Sequence, residues 1–349
     1  MTLPPRDLQQ VAQSDLAQVE RKYAVAVSPH LLSLLDPLDP NDPIARQFLP
    51  SLEELNTLPE ELADPIGDTA HSSVAGIVHR HPDRVLFKAV AACPVYCRFC
   101  FRRESIGPGK ANALSSQDFE DALAYIAAHP QIWEVILTGG DPFILSPRRV
   151  AEISQRLAAI AHVKLIRWHT RVPMTDPDRI TDALVAALHA PGATTFVAVH
   201  ANHPREFAPE ACSAIARLVD GGVPLVSQSV LLRGVNDTVE TLDTLMRTFL
   251  ENRIKPYYLH HPDLAPGTSH FRLSIDEGLA LVEQLRARLS GLAMPAYMLD
   301  LPGGFGKVPL ESRNVEKTAQ GWRIRDGRGD WHDYPHASTV ANDSVVRPE

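Results

Sequence analysis

Arg84-Val-Leu-Phe-Lys-Ala-Val-Ala-Ala-Cys-Pro-Val-Tyr-Cys-Arg-Phe-Cys100 is the stretch whose reading decides the fold. Its first half, Arg84 to Ala91, is a short apolar run of the kind that forms a strand buried on both faces. Its second half carries Cys93, Cys97 and Cys100 directly behind that strand. The same strand texture returns at Trp133–Thr138, Val163–Trp168, Thr194–His200, Pro224–Leu232 and Lys255–His260. Between these runs lie amphipathic stretches that read as helices: Gln117–Ala128, Pro147–Ala161, Asp176–His189, Pro209–Asp220, Val239–Asn252 and Ile275–Leu289. Parallel strands need helical crossovers, so about six β-then-α units predict an α/β protein. A partial (βα)6 barrel leads, with a doubly wound open sheet as its competitor.

Working outward, residues 1–77 read as an N-terminal helical segment, peripheral up to about residue 60 and broken by Pro37, Pro40 and Pro43, with Ser51 as an N-cap. Residues 78–290 form the barrel, and 291–349 a C-terminal extension. In that extension Gly321–Pro335 suits a hairpin turning at Asp326-Gly327 or Arg328-Gly329, and the polar tail 336–349 should fray.

Composition narrows the function classes. The 349 residues hold 34 Lys plus Arg against 42 Asp plus Glu, a net charge of −8, which argues against a phosphate-tracking nucleic-acid binder. No apolar run is long enough to span a membrane, and the first residues lack a basic-then-apolar leader, so a cytoplasmic location is expected. Four cysteines are too few for a disulfide scaffold, and three of them are bunched. The fourth, Cys212, reads as a small buried core residue.

A C-x3-C-x2-C loop at the C-terminal end of a barrel strand is placed for metal chemistry. Zinc normally takes four protein ligands, and His79, His81 or His203 would have to supply the fourth. A 4Fe-4S cluster normally takes four cysteines, so three leave one iron open to another ligand. Leu137-Thr-Gly-Gly-Asp141 ends the next strand, where glycines allow a ligand to approach the main chain. Far downstream, Asp300-Leu-Pro-Gly-Gly-Phe-Gly-Lys307 sets a lysine behind a glycine-rich turn, and a lysine can condense with an aldehyde cofactor.

The cysteine spacing resembles the signature of the radical S-adenosylmethionine (SAM) superfamily. With the Lys307 segment, the chain resembles the lysine 2,3-aminomutase family, from about Val78 to the Trp322–Tyr334 hairpin. That resemblance implies a radical SAM barrel in which Cys93, Cys97 and Cys100 hold a 4Fe-4S cluster and SAM takes its open iron. It implies pyridoxal 5'-phosphate (PLP) on Lys307, with Arg80 and Arg84 on the PLP phosphate. Gly139, Gly140, Asp141, His200 and Gln228 fall at SAM-side positions. Arg102 matches the arginine on the substrate carboxylate, and Asp263 and Asp300 match the aspartates on the substrate ε-ammonium. The implied activity is an isomerase converting L-lysine to β-lysine; the same chemistry on another amino acid is the alternative.

The family usually carries an aromatic residue where this chain has His81. Its longer members also carry C-terminal cysteines for structural zinc, and here no cysteine follows Cys212, while Thr238 stands at a zinc-ligand position. The compact length resembles the bacterial subgroup that makes β-lysine for elongation factor P. A reductant such as flavodoxin or ferredoxin is the implied redox partner, and homo-oligomer formation stays open.

Overall fold

The computed structural model describes residues 16–107, 114–310, 314–326 and 328–336. Nine strands form one sheet in strictly sequential order: β1 (Ile77–His81), β2 (Arg84–Val90), β3 (Glu134–Gly139), β4 (Leu165–Thr170), β5 (Thr194–His200), β6 (Leu225–Val230), β7 (Ile254–His260), β8 (Ala296–Leu301) and β9 (Gly306–Pro309). Neighbours from β2 to β8 pair in parallel, while β1 and β9 pair antiparallel at the two ends. The result is a nearly closed barrel.

Six helices make the crossovers: α1 (Ser116–Ala128), α2 (Pro147–Ala158), α3 (Asp182–Leu188), α4 (Pro209–Asp220), α5 (Val239–Glu251) and α6 (Ile275–Arg288). Most start at a hydroxyl cap, which satisfies a backbone N–H that the first turn leaves without a partner. Ser115, Ser146, Thr181, Thr238 and Ser274 accept from Asp118, Arg149, Leu184, Thr241 and Glu277 respectively. Thr238 is thus a helix cap. Phe119 and Ile126 on α1, Ile153 and Leu157 on α2 and Leu242 and Phe249 on α5 turn inward to a continuous core with Val135, Ile166 and Leu225 of the sheet.

The six predicted units and the α/β class are present, with additions. A seventh parallel strand, β8, follows the sixth helix, and β9 folds back on it so that Asp300 and Lys307 are cross-strand partners. The Lys307 segment is therefore part of the barrel sheet. The predicted helix over Asp176–His189 is shorter, because Pro177 starts a separate 3-10 turn and Thr181 caps a new helix. The hairpin is present as β11 (Gly321–Arg325) against β12 (Trp331–Pro335), joined by β10 (Val315–Thr318) into a small antiparallel sheet. Gly327 and the tail from residue 337 lie outside the described residues.

The N-terminal segment departs from its reading in placement only. Its described part is helical in short pieces, as read: residues 16–22, Pro29–Ser33 and Pro43–Phe48 are α-helical and Leu52–Leu55 is a 3-10 turn, where Ser51 does cap. It is not peripheral: Gln47, Phe48 and Glu54 are fully buried. Cys212 is half-buried rather than buried, its thiol donating to the Phe207 carbonyl at 3.4 Å. Among the described residues no helix is long and apolar enough to cross a membrane.

Candidate active site

The cysteine loop leaves β2 and is held by the N-terminal segment. Tyr96 N–H donates to the Ala26 carbonyl at 3.1 Å and Arg98 N–H to the Gln47 carbonyl at 2.8 Å. The Arg98 guanidinium, 1% exposed, donates through Nε and Nη2 to Glu54 at 2.9 and 2.5 Å, and Arg103 binds the same carboxylate. Burial alone would raise the Glu54 carboxyl, but the hydrogen bond and charge of Arg98, with Arg103, hold it below the usual range.

Cys93, Cys97 and Cys100 are free thiols that line one chamber. Burial pushes all three up, Cys100 to about 11; repulsion from neighbouring cysteines adds to this at Cys93 and Cys100, while Arg171 works against it at Cys97. Without a cation they are neutral; a bound metal would reverse that balance. Among the described residues no three His, Cys, Asp or Glu side chains form a cage for a single ion. A 4Fe-4S cluster does not need one, because each cysteine takes a different iron corner. Three half-buried thiols lining one chamber fit such a cluster better than zinc. Of the histidines that might have completed a zinc site, His79 bonds Tyr125 at 2.9 Å and His203 accepts from Arg205 N–H at 3.2 Å, while His81 lines the same chamber.

The chamber encloses about 480 Å³ and reaches from these cysteines to Lys307. Its walls follow the period of two that strands impose: Glu134, Ile136 and Thr138 on β3, Arg167 and His169 on β4, Ala198 and His200 on β5, Gln228 and Val230 on β6. His200 lies opposite Gln228 in the β5–β6 register and bonds Asn202 at 3.1 Å. Burial, then the Arg171 charge, lowers its pKa to about 3, so it is neutral.

Gly139 and Gly140 bring β3 against the root of the cysteine loop. Gly140 N–H donates to the Val90 carbonyl at 2.6 Å and Asp141 N–H to Ala92 at 3.0 Å. A Cβ on Gly140 would sit 2.1 Å from the Ala92 oxygen, and Gly139 has φ +115°. Asp141 is buried and accepts from Phe143 N–H, the Thr170 hydroxyl and Arg171 N–H at 3.0, 2.8 and 2.7 Å. Its carboxylate therefore ties the ends of β3 and β4 together.

At the other end the charged residues form one linked set. Asp68 binds Arg80 at 3.3 Å, Arg102 at 3.1 Å and Lys88 at 3.7 Å. Arg80 continues to Asp300 at 3.3 Å, and Asp300 pairs with Lys307. Arg102 also donates to the Thr138 hydroxyl at 3.2 Å. Asp263 faces this set: burial first, then the Asp300 charge, pushes its carboxyl up to about 7, against Lys307, Arg102 and Arg80. Asp300 is held below the usual range, its own burial being outweighed by Lys307 and Arg80. Arg84 lines the chamber and pairs with Asp83 at 2.8 Å. His81, between the two arginines, is lowered to about 4 by burial and their charge, and is neutral.

The three clustered cysteines, Lys307 and every other site residue that the resemblance implies line this one chamber; His79, His203, Cys212 and Thr238 do not. Sequence reasoning missed Asp68, a loop aspartate with no motif around it. It also missed the Arg167–Glu134 pair at 2.9 Å and the stacked Tyr257 and Tyr258, whose hydroxyls bond at 2.7 Å. These four stand on predicted strands, so pairing inward positions across neighbouring strands would have found them.

A three-cysteine loop behind the first parallel strand of such a barrel defines a radical SAM enzyme, and the family model for the Radical SAM superfamily matches residues 88–246. Membership implies an iron–sulfur cluster and SAM. The chain is 39% identical over 297 residues to the L-lysine 2,3-aminomutase of Clostridium subterminale, spanning 84% of this chain and 70% of that protein. It is 35% identical to the L-lysine 2,3-aminomutase of Escherichia coli strain K12, covering 84% of each. It is also 36% identical to the glutamate 2,3-aminomutase of Clostridioides difficile strain 630, over 84% of this chain and 69% of that one. The chain belongs to the lysine 2,3-aminomutase family and is an isomerase of that kind acting on an amino acid.

Proposed function

We propose that this isomerase converts L-lysine to β-lysine, with the 4Fe-4S cluster on Cys93, Cys97 and Cys100 and PLP on Lys307. The observation that carries the lysine assignment is the acidic pair. Asp263 and Asp300 lie close enough that one raises the other's pKa, and the amine of Lys307 is the counter-ion of Asp300. A second amine is what that place accommodates once Lys307 is engaged by PLP. A glutamate side chain would bring a third carboxylate to it, at a coulombic cost that a buried site makes large.

The chain's own residues then divide the work. Asp263 and Asp300 hold the ε-ammonium, Arg102 takes the α-carboxylate in exchange for Asp68, and Arg80 and Arg84 hold the PLP phosphate, as guanidinium forks suit oxyanions. Gly139, Gly140, His200 and Gln228 bound the SAM end, where neutral His200 adds no charge. PLP supplies the carbonyl that takes up the substrate amine, and SAM on the cluster supplies the radical that removes a hydrogen. The walls keep that chemistry from water and fix the migrating nitrogen against its new carbon. Free lysine is the substrate whether β-lysine serves metabolism or elongation factor P, and a one-electron donor of the flavodoxin or ferredoxin type feeds the cluster.

Two variants test the reading. Lys307→Ala should lose the visible absorbance of bound PLP while its iron content stays at the native level. Asp300→Asn, loaded with both cofactors, should lose lysine turnover; retained turnover would refute the assignment of the acidic pair.

A further inference from the structure

We propose that Arg171 sets the reduction potential of the iron–sulfur cluster through a charged hydrogen bond to Cys97. The inference rests on the reading of Cys93, Cys97 and Cys100 as cluster ligands.

Arg171 follows the last residue of β4, and its main chain is fixed by the Asp141 carboxylate at 2.7 Å. Its side chain, 6% exposed, passes between the rings of Phe48 and Phe99, 4.5 and 5.2 Å from their centres. Nη1 donates to the Cys97 sulfur at 2.9 Å. Nη2 donates to the Gln47 side-chain oxygen at 2.5 Å and to Glu206 at 2.8 Å. Glu206 is fully buried, and its second oxygen accepts from the main chain of Asn202 and His203 at 2.8 and 3.0 Å. A buried guanidinium is thus aimed at a ligand sulfur and locked there by partners that leave it few other orientations.

Hydrogen bonds to cluster sulfurs and nearby positive charge favour the more negative, reduced cluster. Here one electron passes from an external one-electron donor to the cluster; the donor is oxidised, the cluster reduced, and no bond is made. Arg171 stabilises the reduced form, and Glu206 moderates it by neutralising part of its charge.

The test is a dithionite-poised EPR titration of anaerobically reconstituted protein without SAM. In Arg171→Gln, reduction should become about tenfold less favourable, a shift of about 59 mV to more negative potential for a one-electron couple. Arg171→Lys should fall between that variant and the native protein. Glu206→Gln should move the potential the other way, which a general loosening of the loop would not do. The potential belongs to the loaded fraction, so a variant with poor iron yield still reports. An unchanged potential in Arg171→Gln, or the same direction of shift in both variants, would overturn the proposal. Absence of a reduced-cluster signal in the native protein would instead refute the cluster reading beneath it.

Discussion

Asp263 offers a quantitative test of the acidic pair. With its carboxyl pushed up to about 7 by burial and Asp300, it is about one-tenth ionised at pH 6 and about nine-tenths at pH 8. Only the ionised form attracts an ε-ammonium, and PLP on Lys307 removes a cation that lowers this pKa, so lysine should bind at least about tenfold more tightly at pH 8 than at pH 6. Lysine binding also engages PLP and the α-carboxylate site, whose own pH dependence must be removed. L-norleucine does this, since it has the same chain without the ε-ammonium. The quantity to measure is the ratio of norleucine to lysine dissociation constants, by anaerobic titration of the holoenzyme from pH 6 to pH 8. It should rise at least about tenfold in the native protein and stay flat in Asp263→Asn. A flat ratio in the native protein would refute the argument that Asp263 faces the distal amine.

Two further outcomes follow from the frame around the cysteines. Ala at position 140 would put a methyl carbon 2.1 Å from a backbone oxygen, so the loop root must move by about 1 Å. Overpacking of that kind costs about 1–3 kcal/mol, and Gly140→Ala should show it as a lower denaturation midpoint together with reduced iron content; full iron loading would contradict the stated role. Glu54→Ala leaves Arg98 and Arg103 as uncompensated buried charges and should cost about 3–5 kcal/mol in urea unfolding. Because the Glu54 carboxyl is lowered on folding, its contribution is full above its unfolded value near 4.5 and fades as pH falls through the lower folded value. Native stability should therefore lose that contribution in acid, and the variant should lack that limb.

The cysteine loop, the strand-and-helix alternation and the glycine pair were legible because each is local: spacing and period need no knowledge of distant residues. Lys307 and Asp300 were legible through resemblance, but their strand was not. β9 is a four-residue edge strand ending in proline, too short for any period to register. β8 escapes the β-then-α pattern because no helix follows it and β9 turns straight back on it. What stayed hidden was convergence. Asp68 gathers Arg80, Arg102 and Lys88 from two strands and a loop, and nothing near it in sequence announces that. Arg171 and Glu206 likewise lie 35 positions apart and meet through a buried side-chain network. The N-terminal segment looked peripheral for the same reason: the partners of Gln47 and Glu54 are far along the chain.

The most direct measurement is product analysis from anaerobic holoenzyme given reductant, PLP, a catalytic amount of SAM and an equimolar mixture of lysine and glutamate. Chiral chromatography should find β-lysine accumulating well beyond the SAM supplied, with glutamate returned unchanged. β-Glutamate as the main product, or no β-amino acid from protein with a full, reducible cluster, would contradict a lysine 2,3-aminomutase.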